Sequence, residues 1–279
     1  MNFEDFIQQA LDEDVRDGDH STLACIPAEA KGQAILKIKE DGILAGVDIA
    51  KRIFEYIEPG AILEISKHDG MQVHQGETAF TVYATVRTLL KAERLVLNIM
   101  QRMSGIATLT HCYVQKIAGY KTKILDTRKT TPNFRWFEKQ AVVIGGGDNH
   151  RFGLYDMIML KDNHIDFAGG IETAIAKTKS YLKEKQLTLN IEVETRSLAD
   201  VEAVMRCGGI ERIMFDNFTP DMIRQALFIT NGNVETEASG GISLDTIESY
   251  AATGVDFISV GAVIHHAVSF DLSLKAVLS

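Results

Sequence analysis

KILDTRK (123–129), MIMLKDNH (157–164), NIEVETR (190–196), RIMFDNF (212–218), VETEASGG (234–241) and FISVGAV (257–263) follow one pattern. Each is a short apolar run that ends in polar or charged residues and passes into a loop. Helical stretches intervene, among them GIETAIAKTKSYLKEK (170–185), SLADVEAVMRCG (197–208) and LDTIESYAATG (244–254). Alternating strand and helix units predict parallel strands with helices outside. About six such units suit a barrel or a doubly wound sheet, and a full eight-unit barrel is not evident.

Upstream of Gly105 the pattern differs. Residues 3–14 read as an amphipathic helix. QAILKIKE (33–40), ILEISKHDG (62–70) and ETAFTVYAT (77–85) read as strands, interrupted by a helix at VDIAKRIFEYI (47–57). VRTLLKAERLVLNIMQRM (86–103) reads as a long helix, apolar on most faces, whose conspicuous charges are Arg94 and Arg102. The tail SFDLSLKAVLS (269–279) is expected to return to this first region.

With 46% hydrophobic and 24% charged residues in 279, the chain has the balance of a soluble globular protein that buries a core without staples. The net charge of −9 argues against a broad nucleic-acid or anionic-membrane surface while leaving room for a local basic pocket. No apolar stretch reaches spanning length, and the acidic start lacks a signal-peptide pattern. Cys25, Cys112 and Cys207 are far apart and read as free, buried thiols of a reducing compartment. The expectation is a cytoplasmic protein.

In parallel barrels the chemistry sits at the C-terminal ends of strands, where this chain places its unusual polar residues. Arg128, Lys129, Arg135, Lys139, His150, Arg151, Lys161 and His164 fall within a short stretch of an acidic protein. Any one of them is better read as a solvated surface charge. As a set that adjoins apolar strands they would receive a small polyanion, with Arg as the bidentate carboxylate clamp. Strand alternation puts Glu192 and Glu194 on one face, and Met214 and Asp216 on another. Glu194 and Asp216 could hold Mg2+, which uses one or two carboxylates plus phosphates and water, or could pair with neighbouring cations; spacing alone leaves both open. The glycines of ASGGIS and SVGAVIHH could let backbone N–H groups close round a phosphate, although tight strand–helix turns also need glycine.

The residues now carry a resemblance. DTRKTTP (126–132), EKQAV (138–142), GGGDNHR (145–151), KDNHI (161–165) and ASGGI (238–242) are similar to the signature core of quinolinate phosphoribosyltransferases. So are AERLVLNIMQRMSGIAT (92–108), IEVET (191–195), FDNF (215–218), GVDFISVGAVIHH (254–266) and, more faintly, EDVRDGDHST (13–22). The match runs in order over nearly the whole chain. It implies an α/β fold: an N-terminal α/β sandwich domain (1–105, with the tail 267–279 packing back on it) and an incomplete parallel α/β barrel of about seven strands (106–266).

The resemblance also implies a reaction: quinolinate and phosphoribosyl pyrophosphate give nicotinate mononucleotide, pyrophosphate and carbon dioxide. Carried over by position, Arg128, His150 and Arg151 hold the quinolinate carboxylates, and Lys129 and Lys161 lie between quinolinate and the phosphoribosyl group. Arg94 reaches the site of a partner subunit, so a homo-oligomer, at least a dimer, is implied. Glu194 and Asp216 stand near the ribose hydroxyls and Mg2+, directly or through water. Ser239, Gly240, Gly241, Gly261 and His265 form the loops round the phosphate. Lys129, Lys161, Glu194 and Asp216 are the expected catalytic residues. Three positions depart from the pattern: Asn133 where Gly is usual, Phe215 for Leu, and Ile264 for Thr.

Other readings fit these residues less well. A non-catalytic paralogue binding a related anion is opposed by retention of Arg128, Lys129, Lys161, Glu194 and Asp216. A nicotinate phosphoribosyltransferase would need fewer cations. KHDGMQVHQGETAF (67–80) resembles a biotinyl or lipoyl carrier hairpin but has no Lys between Asp69 and Val82 to carry the group. His68, His74 and His111 read as surface or packing residues, Trp136 as packing, and no structural zinc is expected.

Overall fold

The computed structural model describes residues 3–277; Met1, Asn2, Leu278 and Ser279, at the ends of the expected first domain and tail, lie outside the described residues. The chain opens with α1 (Phe3–Asp14), α2 (His20–Cys25), β1 (Lys31–Ile38), β2 (Gly42–Ile43), α3 (Val47–Ile57), β3 (Ile62–Ile65), β4 (Gln72–Val73), β5 (Thr78–Thr85) and the long α4 (Val86–Lys116). It continues with β6 (Lys123–Leu125), α5 (Arg135–Ile144), β7 (Ile158–Leu160), α6 (Asp162–Ala168), α7 (Ile171–Lys185), β8 (Ile191–Thr195) and α8 (Leu198–Cys207). Then come β9 (Arg212–Asp216), α9 (Pro220–Thr230), β10 (Glu235–Ser239), α10 (Ile247–Ala251), β11 (Phe257–Ser259), α11 (Ala262–His265) and β12 (Leu272–Val277).

These elements form two compact units. The first comprises residues 3–109, 136–145 and 267–277 among those described, and the second 110–135 and 146–266. The sequence division at residue 105 does not contain one feature of this grouping: residues 136–145, most of α5, belong to the first unit.

In the first unit a four-stranded antiparallel sheet runs β12-β1-β5-β3. Its inward side follows strand alternation: Ala34, Leu36 and Ile38 of β1 are buried. Helix α3 covers the sheet through Val47, Ile49, Ala50, Ile53 and Phe54, and the Phe54 ring meets Phe80 of β5 edge-on at 6.5 Å. The tail strand β12 pairs antiparallel with β1 from Ile38↔Leu272 to Gln33↔Val277. The sequence suggested a helix ending at Met103, but α4 runs on through Ser104 and Gly105. Gly105 is there for close approach, since a Cβ on it would lie 1.9 Å from the Val268 carbonyl oxygen. Trp136 packs edge-on against Phe137 at 5.0 Å and Phe3 at 6.3 Å.

The second unit is built on a six-stranded parallel sheet in the order β6-β11-β10-β9-β8-β7. This is the cyclic order of a barrel: each strand pairs with the next in sequence, and the last, β11, returns to pair with the first. The seam lies between β6 and β7. There the segment around Asp148 makes a single bridge to β6, with Asp148 N donating to Ile124 O (2.8 Å) and Asp126 N to Asp148 O (3.1 Å). That bridge stands where a seventh strand would be. β8 is buried along its whole length, as a parallel strand covered on both faces should be.

The thiols depart from expectation. Cys25 and Cys112 are exposed and Cys207 is half-buried; all three are free. Cys25 ends α2, whose one buried residue is Thr22. Cys112 falls off the buried helical stripe Ile106, Thr110, Tyr113 and Ile117. Among the described residues no helix is long and apolar enough to cross a membrane.

Candidate active site

The parallel sheet opens at its C-terminal end into a cavity of about 790 Å³ within the second unit. Residues from or just beyond all six parallel strands line it. Arg128 and Lys129 follow β6, Met159 and Lys161 flank the end of β7, and Glu194 is the penultimate residue of β8. Met214 and Asp216 come from β9, Glu237 and Ser239 from β10, Ser259 from the end of β11 and Gly261 from just beyond it. Most of these pairs are two residues apart, so alternation sends them to the same face. Strands at opposite edges of the sheet order, β6 and β7, contribute to one cavity, as a sheet curled into an open barrel requires.

The cationic side is formed by Arg128, Lys129, His150, Arg151 and Lys161. Burial, then the neighbouring Arg128 guanidinium, lowers the Arg151 pKa: two like charges are held side by side where an anion would relieve them. Arg151 Nη1 donates to Met157 O at 3.1 Å, which anchors the guanidinium at the cavity wall. Lys161 Nζ donates to Glu194 Oε2 at 2.7 Å, so in this state the salt-bridge reading of Glu194 is realised.

On the acidic side, Asp216 is pushed above the usual carboxylate range by burial and then by the Glu194 charge. It accepts a hydrogen bond from Asn217 Nδ2 at 2.7 Å. Asn217 adopts left-handed backbone (φ 57°) and donates its N–H to Ser239 O at 2.8 Å. Gly240 packs directly on it: a Cβ there would lie 2.2 Å from Asn217 Oδ1. Gly261 is less confined but still tight, with His265 Nε2 at 3.0 Å and Lys129 Cδ at 3.1 Å from where its Cβ would be. Burial, then His266 and Lys129, lower the His265 pKa and favour its neutral form.

Two family models match end to end: the quinolinate phosphoribosyl transferase N-terminal domain over residues 19–104 and its C-terminal domain over residues 106–275. The chain belongs to the quinolinate phosphoribosyltransferase family. A relative named nicotinate-nucleotide pyrophosphorylase [carboxylating], chloroplastic, from Oryza sativa subsp. japonica is 43% identical over 96% of this chain and 76% of its own length. A probable nicotinate-nucleotide pyrophosphorylase [carboxylating] from Bacillus subtilis (strain 168) is 41% identical over 96% of this chain and 91% of its own length. The crystal structure of NadC from Streptococcus pyogenes superposes with a TM-score of 0.92 at 38% identity, covering 98% of this chain and 95% of that one.

All the site residues expected from the resemblance to quinolinate phosphoribosyltransferases line the cavity except Arg94. Arg94 is exposed on α4 in the first unit. Three members of the wider cationic set do other work. Arg135 donates to Thr130 Oγ1 (2.9 Å) and Phe152 O (2.8 Å) and so braces the loop after β6. Lys139 is buried in the first unit at 2% exposure. His164 accepts the Lys161 N–H on Nδ1 (3.0 Å), closing the first turn of α6.

The departures from the family pattern are accommodated. Asn133 takes φ 62°, the left-handed conformation that Gly would supply. Phe215 stacks on Phe218 at 5.4 Å, and Ile264 is fully buried. Sequence reasoning missed Tyr113, Asn217, Glu237, Ser259 and His266 as lining residues. Glu237 had a signal: it shares the inward face with Ser239 in a strand that ends at the site.

Proposed function

We infer that this chain transfers the phosphoribosyl group of phosphoribosyl pyrophosphate to quinolinate with decarboxylation, in the biosynthesis of NAD. The observation that carries the reading is the meeting of Arg128, Lys129, His150, Arg151 and Lys161 with Glu194 and Asp216 in one cavity. A pyridine with two carboxylates suits the basic wall, and an activated sugar suits the acidic one.

The roles proposed for individual side chains follow from charge and position. Arg128 and Arg151 clamp the carboxylates, with His150 beside them. The ring nitrogen attacks C1 of the ribose as the bond to pyrophosphate breaks, and Glu194 offsets the positive charge that develops on the sugar. The bond to the adjacent carboxylate then breaks with loss of carbon dioxide, leaving its electron pair on the ring carbon, where the neighbouring pyridinium charge stabilises it. Protonation of that carbon, for which the ammonium groups of Lys129 and Lys161 in the same cavity are the proposed donors, gives nicotinate mononucleotide. The loops at Ser239, Gly240, Gly241 and Gly261, with His265, receive the phosphate.

Glu194 and Asp216 are the proposed holders of Mg2+. The donor set fits, since burial and then the Glu194 charge raise Asp216, and a divalent cation would offset that charge. When bound, the ion would offset charge on the pyrophosphate. We further propose a homo-oligomer in which the exposed Arg94 completes a neighbour's site, and a cytoplasmic location, which the three free thiols suit.

The test is direct. Protein, Mg2+, quinolinate and phosphoribosyl pyrophosphate are incubated, and mononucleotide and carbon dioxide are measured together. Equal release of both supports the reading, and binding of quinolinate without either product would support a non-catalytic relative. Restored turnover on mixing Arg94→Ala with Lys161→Ala subunits would support the shared site, and no recovery under subunit exchange would count against it.

A further inference from the structure

Beneath the cavity, the barrel interior holds charge that the reaction above does not use. Glu192 and Glu237 are fully buried, on β8 and β10. His150 Nε2 lies between them, 3.1 Å from Glu192 Oε2 and 3.2 Å from Glu237 Oε2. Arg212 of β9 closes the group, with Nη1 donating to Glu237 Oε2 at 3.1 Å and Nη2 to Glu235 Oε2 at 2.9 Å. On the other side of the imidazole, Nδ1 accepts the backbone N–H of Arg151 at 2.7 Å. Asp126 Oδ1 accepts the backbone N–H of His150 at 2.8 Å.

The ligand atoms of His150, Glu192 and Glu237 all lie within 4.8 Å of one another, a spacing that also suits a cation. The chemistry at the ring opposes that reading. In the neutral ring Nδ1 accepts and Nε2 carries the proton, and in the imidazolium both nitrogens are protonated; in either form Nε2 turns no lone pair toward the carboxylates. Arg212 already fills the cationic place in the group.

We propose that Glu192 and Glu237, with Arg212 behind them, are positioning residues for the dicarboxylate subsite: they fix the His150 ring, and through Nδ1 the Arg151 backbone, so that the Arg151 guanidinium faces the substrate. Burying two carboxylates is costly unless they are paired. A barrel interior is ordinarily filled by branched apolar side chains. Here it carries a ladder of polar contacts from β9 through β10 and β8 to the loop that presents Arg151. Anchors of this kind act by holding a first group within a few tenths of an ångström of its working position.

The inference rests on the reading of the cavity as a quinolinate site, and the experiment separates the two. Wild-type enzyme, Glu192→Gln and Glu237→Gln are compared in thermal melting, metal content and steady-state kinetics with each substrate varied in turn. Failure of the wild type to consume quinolinate overturns the functional reading itself. With an active wild type, the expected result is a quinolinate KM raised about tenfold, equivalent to roughly 1.4 kcal/mol, and a phosphoribosyl pyrophosphate KM within about twofold. The effect of Glu192→Gln should vanish in a His150→Asn background, because it acts through that ring. The proposal is overturned by an unchanged quinolinate KM in both variants, by equal rises for both substrates, or by an effect that persists without His150. It is likewise overturned if both variants fail to fold, which would make the group a stability element, or if the wild type carries stoichiometric metal that Glu192→Gln loses.

Discussion

Gly240→Ala tests whether the acidic wall is set by backbone contact. The residue has φ +101°, a conformation an L side chain adopts at a cost of about 1–2 kcal/mol. The added Cβ would sit 2.2 Å from Asn217 Oδ1, 2.7 Å from its Cγ and 2.9 Å from its backbone N. The Asn217 side chain can swing away, but only by releasing Asp216. The backbone N cannot, because it is bonded to Ser239 O at the end of the β9–β10 ladder. Forced overpacking of this kind costs about 1–3 kcal/mol, so the total is about 2–5 kcal/mol, within the stability of an ordinary domain. The variant should therefore fold, melt lower and bind phosphoribosyl pyrophosphate more weakly. Gly241→Ala is the internal control: it also has positive φ (+61°), yet its Cβ would meet nothing within 4 Å. Urea unfolding of both variants, with kinetics on each, separates strain from collision. If Gly240→Ala costs no more than Gly241→Ala, the close-approach reasoning is wrong.

Lys161→Ala should leave folding intact and lower kcat/KM by the equivalent of about 3–4 kcal/mol; near-normal turnover would remove Lys161 from the mechanism. Gly105→Ala should destabilise the first unit by more than about 3 kcal/mol despite the better helix propensity of Ala, because its Cβ would lie 1.9 Å from the Val268 carbonyl oxygen; a melting temperature equal to wild type would refute this. Burial alone would raise the Glu58 carboxyl, but the Thr85 N–H, the Thr88 and Thr85 hydroxyls and Lys31 together lower it to about 2. A lowered acid contributes stability above its unfolded pKa and loses it as pH falls toward 2. Wild type should therefore lose roughly 1–2 kcal/mol more than Glu58→Gln between about pH 4.5 and 2, allowing for solvent screening, and parallel acid-unfolding curves would contradict it.

Much of the second unit was legible because its strands announce themselves twice, by an apolar run and by the polar residue that ends it. Each of the six runs became a strand, and alternation within them placed Glu194, Asp216 and Ser239 on the cavity side. Helix ends were less legible where glycine served packing: Ser104-Gly105 reads as a stop, yet α4 continues because the Val268 carbonyl occupies the space of a side chain. Long-range grouping was least legible. Nothing local to residues 136–145 says that they pack with the first unit, and nothing in His164 distinguishes a helix-capping imidazole from one facing a substrate. The full length of the basic set therefore overstated the pocket. The resemblance supplied residue roles that spacing could not.

The interior of the barrel explains why the site tolerates so much charge. Along β8, Glu192 and Glu194 point inward while Ile191 and Val193 face the other way; on β9 Arg212, Met214 and Asp216 point inward, and on β10 Glu237 and Ser239 do. The register couples these rows, with Glu192 opposite Arg212 and Ser239 opposite Asp216. Burial and then the Glu237 charge push the Glu192 pKa up, while His150 and Arg212 oppose the rise. An apolar layer at this level would cost less to fold. It would, however, leave the His150 ring, and with it the Arg151 backbone, without fixed partners at the floor of a cavity whose chemistry depends on where the Arg151 guanidinium points. The charged layer is therefore best understood as the foundation of the basic wall, with stability given up in the barrel core for geometry at its mouth.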